Sequence, residues 1–280
     1  MLYRIGNAAR AHFPPWDATP TIQERQVQKM PDIIYSFKRY EKKYLLSDEQ
    51  YEFIKNGMKN YIIADEHPRY SLCNIYYDTD DWRLIRKSIE KPVFKEKLRI
   101  RSYGVPKNGD KVFVELKKKY SGVVYKRRIA LPAEDGFPLN IKDEKLADVK
   151  SIQTKNEIEW FLRLYNAYPR MFIGYDREAY SGINNSGLRI TFDTNMRFRT
   201  DRLDLRCGDN TSPILKNDGI LCEIKIPGAC PIWLSRLLSE SRAFPISFSK
   251  YGTCYRDHIL APSLKNKTAS EKNREVLESA

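Results

Sequence analysis

The 280-residue chain lacks the usual devices for holding nucleotides and metals. No G-x-x-x-x-G-K-S/T loop and no G-x-G-x-x-G turn occurs, so any bound nucleotide must be held in some other way. The three histidines, His12, His67 and His258, lie far apart, which disfavours a histidine-rich metal centre. Five cysteines (Cys73, Cys207, Cys222, Cys230 and Cys254) are odd in number and form no C-x-x-C pair. That argues against a structural zinc site or a disulfide framework and fits a reducing, cytoplasmic setting. No run approaches the roughly 18 apolar residues of a membrane span, and the N-terminus has no apolar core of a secretory signal. Acid is also short. Asp and Glu number 36 against 49 Lys and Arg, a net charge of +13. Such a balance points to polyanionic ligands: nucleic acid, an acidic membrane or a phosphorylated small molecule. Charge alone does not choose among them.

The basic residues are patterned. Lys95 to Arg128 contains three segments that read as strands: Leu98-Arg99-Ile100-Arg101, Val112 to Lys117, and Tyr125-Lys126-Arg127-Arg128. With a side-chain period of two, Arg99 and Arg101 share a face, as do Glu115, Lys117 and Lys119, and as do Lys126 and Arg128. The Gly- and Pro-containing stretch from Gly104 to Asp110 and the Tyr120-Ser121-Gly122 turn predict antiparallel neighbours. An ordinary wet face would interleave acids with such rows of bases.

Residues 1–33, with Pro14-Pro15, Pro20 and Pro31, read as an arm, 34–262 as one folded domain, and 263–280 as a polar, flexible tail. Ser36 to Leu46 is strand-like. Ser47 with Gln50 gives a capping box for a helix to about Asn60. Strands are expected near 36, 70, 95, 111, 122, 171, 187 and 218, with helices from Trp82, over Asn156–Ala167 and from Pro231. The tyrosines and tryptophans Tyr76, Tyr77, Trp160 and Trp233 read mainly as core. Eight strands without βα alternation predict an α+β fold, a closed eight-stranded antiparallel β-barrel with helices packed around it and a polar lumen. Inward candidates are Arg39, Glu41, Lys43, Arg99, Arg101, Lys117, Lys126, Arg128, Arg177, Arg189, Glu223 and Lys225. Guanidinium groups grip phosphate oxygens bidentately. Glu223 is the acid best suited to hold a divalent ion, with partnership to an arginine as its other reading, and Glu41, Glu115 and Asp193 are weaker candidates.

Eight ordered segments resemble one family. They are Arg39 to Tyr44, Ile75 to Thr79, Leu98 to Gly104, Phe113 to Lys117, Tyr175 to Tyr180, Leu188 to Thr194, Cys222 to Lys225 and Phe248 to Gly252, spanning about 36–258. Together they are similar to the VTC domain, the polyphosphate polymerase domain of the triphosphate tunnel metalloenzyme superfamily, in its stand-alone bacterial form. The resemblance implies a β-barrel tunnel and an ATP:polyphosphate phosphotransferase that uses manganese (or magnesium). Its partners would be ATP and polyphosphate or orthophosphate, without nucleic acid. By the same resemblance, Lys43, Arg99, Arg101, Lys117, Arg177, Arg189 and Lys250 bind the triphosphate and product. Glu223 ligates the metal, Lys225 joins the nucleotide site, and Lys126 or Arg128 supplies one more cation. Other superfamily members hydrolyse triphosphates or cyclise ATP. Triphosphate hydrolysis and a non-catalytic polyanion-binding module are therefore the alternatives.

Overall fold

The structure, a computed structural model, describes residues 40–137, 139, 141, 149–184, 187–208, 211–217 and 219–265. Arg39, the expected arm and the part of the expected tail beyond 265 lie outside the described residues; helix continues through 261–265.

The fold is α+β, as the pattern predicts. Eight strands follow one antiparallel path. In chain order they are β1 (Tyr40–Leu46), β2 (Ile62–Asp78), β3 (Phe94–Tyr103), β4 (Lys111–Tyr120), β5 (Val123–Pro132), β6 (Tyr168–Gly182), β7 (Arg189–Arg199) and β9 (Ile220–Ile226); in space the order is β1-β9-β7-β6-β2-β3-β4-β5. A two-residue strand, β8 (Ser212–Pro213), pairs with β7. Among the described residues the expected closure is not made by hydrogen bonds: β1 and β5 end the path without pairing to each other. Instead, Ile246 runs beside β1 and donates its N–H to the Lys43 carbonyl at 2.7 Å.

The sheet is nevertheless strongly curled. Lys43 on β1 and Lys97 on β3 are five strand positions apart, roughly 24 Å in a flat sheet, yet both reach one short segment: Lys43 donates to the Phe248 carbonyl at 3.1 Å and Lys97 lies 5.4 Å from the Tyr251 ring centroid. Two apolar clusters cover the outer face. A short helix, α3 (Ala133–Gly136), follows β5, and helix α4 (Val149–Tyr165) packs Ile158 and Phe161 on Leu98, Ile100, Val114, Leu116 and Ile129. Helices α1 (Asp48–Gly57) and α5 (Ile232–Glu240) pack Ile54, Leu234 and Leu238 on Ile190, Phe192, Cys222 and Ile224. The Ser47/Gln50 capping box forms as the sequence predicts. Trp160 does not join the core; it points outward from α4 and is 63% exposed.

The inner face is apolar at one end only. There α6 (Lys250–Cys254), capped by Ser249, lays Tyr251 and Cys254 against Leu72, Tyr76, Ile173 and Tyr175. Asp78, fully buried, fastens this plug. It accepts from the N–H groups of Leu84 and Ile85 at the start of α2 (Arg83–Ile89), at 2.9 and 3.0 Å, and from the Tyr251 hydroxyl at 2.8 Å. Among the described residues, no helix is long and apolar enough to cross a membrane.

Candidate anion-binding site

Residues opposite each other in antiparallel strands share a face, so the register decides which side chains meet. Across one end, Glu41 pairs with Lys225 and Lys225 with Arg189; Lys43 pairs with Glu223 and Glu223 with Thr191. Asp193 then pairs with Arg177. On the far side, Arg99, Glu115 and Arg128 form one row and Lys97, Lys117 and Lys126 the next. All lie on the inner face, and the period-two reading of the basic strands is therefore correct.

The β6, β7 and β9 wall is a compact network. Arg177 donates to both oxygens of Asp193, at 2.6 and 2.7 Å, and reaches Glu223 at 3.4 Å. Lys250 enters from α6 and pairs with the same Asp193, with Glu223 at 3.9 Å. Lys43 lies 3.3 Å from Glu223, 3.6 Å from Glu41, and donates to the Phe248 carbonyl at 3.1 Å. Burial pushes the Glu223 carboxyl up, but Lys250, Lys43 and Arg177 outweigh it and hold it well below the usual carboxylate range. Lys225 has its basicity lowered by burial, partly offset by Glu41 and Glu223.

Among the described residues the inner face of the opposite wall has one acid. Glu115, buried, accepts from Arg99 Nε at 2.8 Å, Arg128 Nε at 2.8 Å and Lys126 at 2.8 Å. Burial raises its pKa, and Arg99, Arg101 and Lys126 overcome that and hold it low. Arg101 is oriented from two sides: Nε donates to Asn74 Oδ1 at 2.8 Å and its terminal nitrogen to the Tyr175 hydroxyl at 3.0 Å. Asn74 itself is fixed by donating to the Ile173 carbonyl at 2.9 Å. Lys117 sits between Lys97 and Lys126 and is exposed. Arg189 lies on the same face but at the rim, 46% exposed, and its ion pair is with Asp65 at 2.7 Å.

Two participants escape the sequence reading. Lys97 stands two residues before Arg99, so the same period marks it. Its amine lies 5.6 Å from the Tyr76 ring centroid and 5.4 Å from that of Tyr251, over two stacked rings. Burial, with Arg99 and Lys117 beside it, lowers its pKa to about 8 despite Tyr76. Tyr76, read as core, is buried, but its hydroxyl accepts from Arg99 at 3.1 Å. Burial would raise its pKa; Arg99, Lys97 and Arg101 lower it to about 8.

The cations thus converge from β1, β3, β4, β5, β6, β9 and α6 on one curled face, and the family model of the VTC domain matches residues 38–258. The chain belongs to the VTC domain family. That confirms the resemblance carried by the eight motifs. No curated protein sequence matches the VTC-domain chain. Solved structures similar to it include a candidate adenylyl cyclase from Hippeastrum with a dominant triphosphatase activity, at 15% identity and TM-score 0.47, covering 77% of this chain and 94% of that one. A candidate adenylate cyclase from Bacillus halodurans shows 15% identity and TM-score 0.45, with 75% and 92% covered. The Mimivirus capping-enzyme triphosphatase shows 12% identity and TM-score 0.31, with 72% and 86% covered.

The donor set defines how a divalent ion could be held. Among the described residues no group of three or more His, Cys, Asp or Glu side chains could form a metal cage. Glu223 is one carboxylate ringed by cations. That fits an ion arriving with phosphate oxygens as its other ligands, the way magnesium commonly binds.

Proposed function

We propose that this VTC-family protein is a polyphosphate polymerase, which moves the γ-phosphoryl group of ATP to the end of a polyphosphate chain and releases ADP. In this reading a terminal phosphate oxygen of the chain attacks the γ-phosphorus. The bond from that phosphorus to the β,γ-bridging oxygen breaks, and the electron pair leaves with ADP.

The observation that supports the reading within the family is the extent of the cationic face. Arg177, Lys250 and Lys43 gather at one wall, and Arg99 and Arg128, then Lys97, Lys117 and Lys126, stand in successive rows along the other, which suits a chain end lying beside a triphosphate. Arg177, Lys250 and Lys43 would grip the triphosphate from one wall, Arg99 and Arg101 from the other, and Lys117, Lys126 and Arg128 would steady the growing chain. Lys225 and Arg189 would extend the nucleotide side toward the rim. Glu223 would hold manganese or magnesium, which when bound supplies positive charge to the phosphate oxygens.

Purified protein given ATP, manganese and a short phosphate primer should produce long polyphosphate on a gel. Glu223→Ala should abolish the product and Arg189→Ala, at the rim, should reduce it, while the melting temperature shows a folded protein. Orthophosphate without polymer would instead assign triphosphate hydrolysis, and salt-sensitive anion binding without turnover a binding module.

A further inference from the structure

The far end of β3, β4 and β5 lies beyond the rows assigned to phosphate and carries a feature they do not use. Phe94, Tyr120 and Val123 are paired across the three strands and share the outer face with Tyr125. All four are exposed, Tyr120 and Tyr125 at 58% each, and Val93 joins them through the Ser121 N–H to its carbonyl, 3.0 Å. On the other face of the same strand ends are Lys95 and Lys119, paired in register. No carboxylate among the described residues forms an ion pair with either. Burial and the nearby Lys119, Lys117 and Lys91 lower the basicity of Lys95, a sign of crowded positive charge. A contiguous apolar patch on a protein surface marks a contact site.

We infer that this strand tip docks onto an anionic lipid surface, its aromatic and valine side chains entering the headgroup region and its lysines meeting lipid phosphates. The two faces divide the labour a bilayer interface requires. Tyrosine and short aliphatic groups settle at headgroup depth, while lysine stems reach back to the phosphate layer. A second copy of this chain is the poorer occupant, because it would cover the outer face alone, leave Lys95 and Lys119 unused, and bring together two chains of net charge +13. The net charge of +13 adds long-range attraction to an acidic leaflet.

The full chain should co-sediment with vesicles of phosphatidylcholine and phosphatidylglycerol, not with phosphatidylcholine alone, and be released by salt. Tyr120→Ser combined with Tyr125→Ser should weaken this binding about tenfold and Lys119→Glu about fivefold or more, with melting temperatures unchanged. Polymer synthesis without vesicles should be untouched in the tyrosine variant. Tripolyphosphate added at constant ionic strength, and at low concentration relative to the salt, separates the tip from the inner face: if it displaces the protein from vesicles, the inner cations hold the lipid and the inference is wrong. It is overturned equally by no sedimentation with anionic vesicles, by wild-type sedimentation of the tyrosine variant, or by self-association that the tyrosine variant abolishes in the absence of lipid binding.

Discussion

The two walls of the inner face carry cations in opposite states. On the β6, β7 and β9 side, Arg177, Lys250 and Lys43 are each matched to Asp193 or Glu223 before any ligand arrives. On the β3, β4 and β5 side, Glu115 serves Arg99, Lys126 and Arg128, and Lys97 and Lys117 have no acid partner among the described residues. A paired wall is rigid and costs little when empty, because each charge is neutralised and hydrogen-bonded. An unpaired wall repels itself when empty and relaxes on binding an anion. The difference assigns the paired wall to geometry and the unpaired wall to attraction.

The largest effect should come from breaking the paired wall at its base. Asp193 is fully buried and carries two cations, so Asp193→Ala leaves Arg177 and Lys250 in the interior with only their longer contacts to Glu223, at 3.4 and 3.9 Å. We expect a loss of about 3 to 5 kcal/mol in chemical denaturation. A loss below about 1 kcal/mol would mean that water already screens this network and that the contrast between the walls is false. Glu115→Gln should cost less, about 1 to 3 kcal/mol, since Arg128 and Lys126 can turn toward solvent from the open β5 edge.

The face on which most of these residues lie was legible in the sequence, and the reason is the rigid period of a strand. Once Arg99, Arg101, Arg177 and Glu223 sit on strands, alternation fixes their faces and the short turns fix their neighbours. Pairing across the lumen was not legible. That Lys250 would reach Asp193, or that Arg189 would turn to Asp65, depends on the curl of the sheet and the angle of α6, which no local pattern encodes. Closure failed for a related reason. Inward polar residues signal a lumen, but whether the last strands bond to each other is set by their edges, and β1 is partly occupied by the chain at Ile246. Lys97 was within reach of the same alternation that found Arg99. Tyr76 was hidden because a buried aromatic reads as core even when its hydroxyl holds an arginine.

Lys97 sharpens the comparison further. Removing an unpaired cation should help the empty protein and harm its complex. Lys97→Met should raise the KM for ATP about tenfold, with kcat changed far less, while leaving the melting temperature equal or higher.

The pH dependence gives the smallest effect, and its sign follows from the same crowding. The folded-state pKa of Lys97 is about 8, below its ordinary 10.5, because burial and the cations Arg99, Lys117 and Lys43 disfavour its charge, with Tyr76 opposing them. Between these values the unfolded chain holds the proton that the folded one has released, so stability rises with pH across that window. Tyr76, lowered to about 8 from 10, acts in the same direction. Buried Cys222 and Cys254 act oppositely above about 9, since folding keeps their thiols protonated. Comparing variants cancels the cysteine contribution. The stability of wild type relative to Lys97→Met should therefore climb from pH 8 towards 10, and its affinity for tripolyphosphate relative to that variant should fall over the same range. Lys97→Arg, whose charge persists throughout, should flatten both curves. If wild type and Lys97→Met keep a constant difference, Lys97 is not the titrating cation and Tyr76→Phe becomes the variant that should remove the slope.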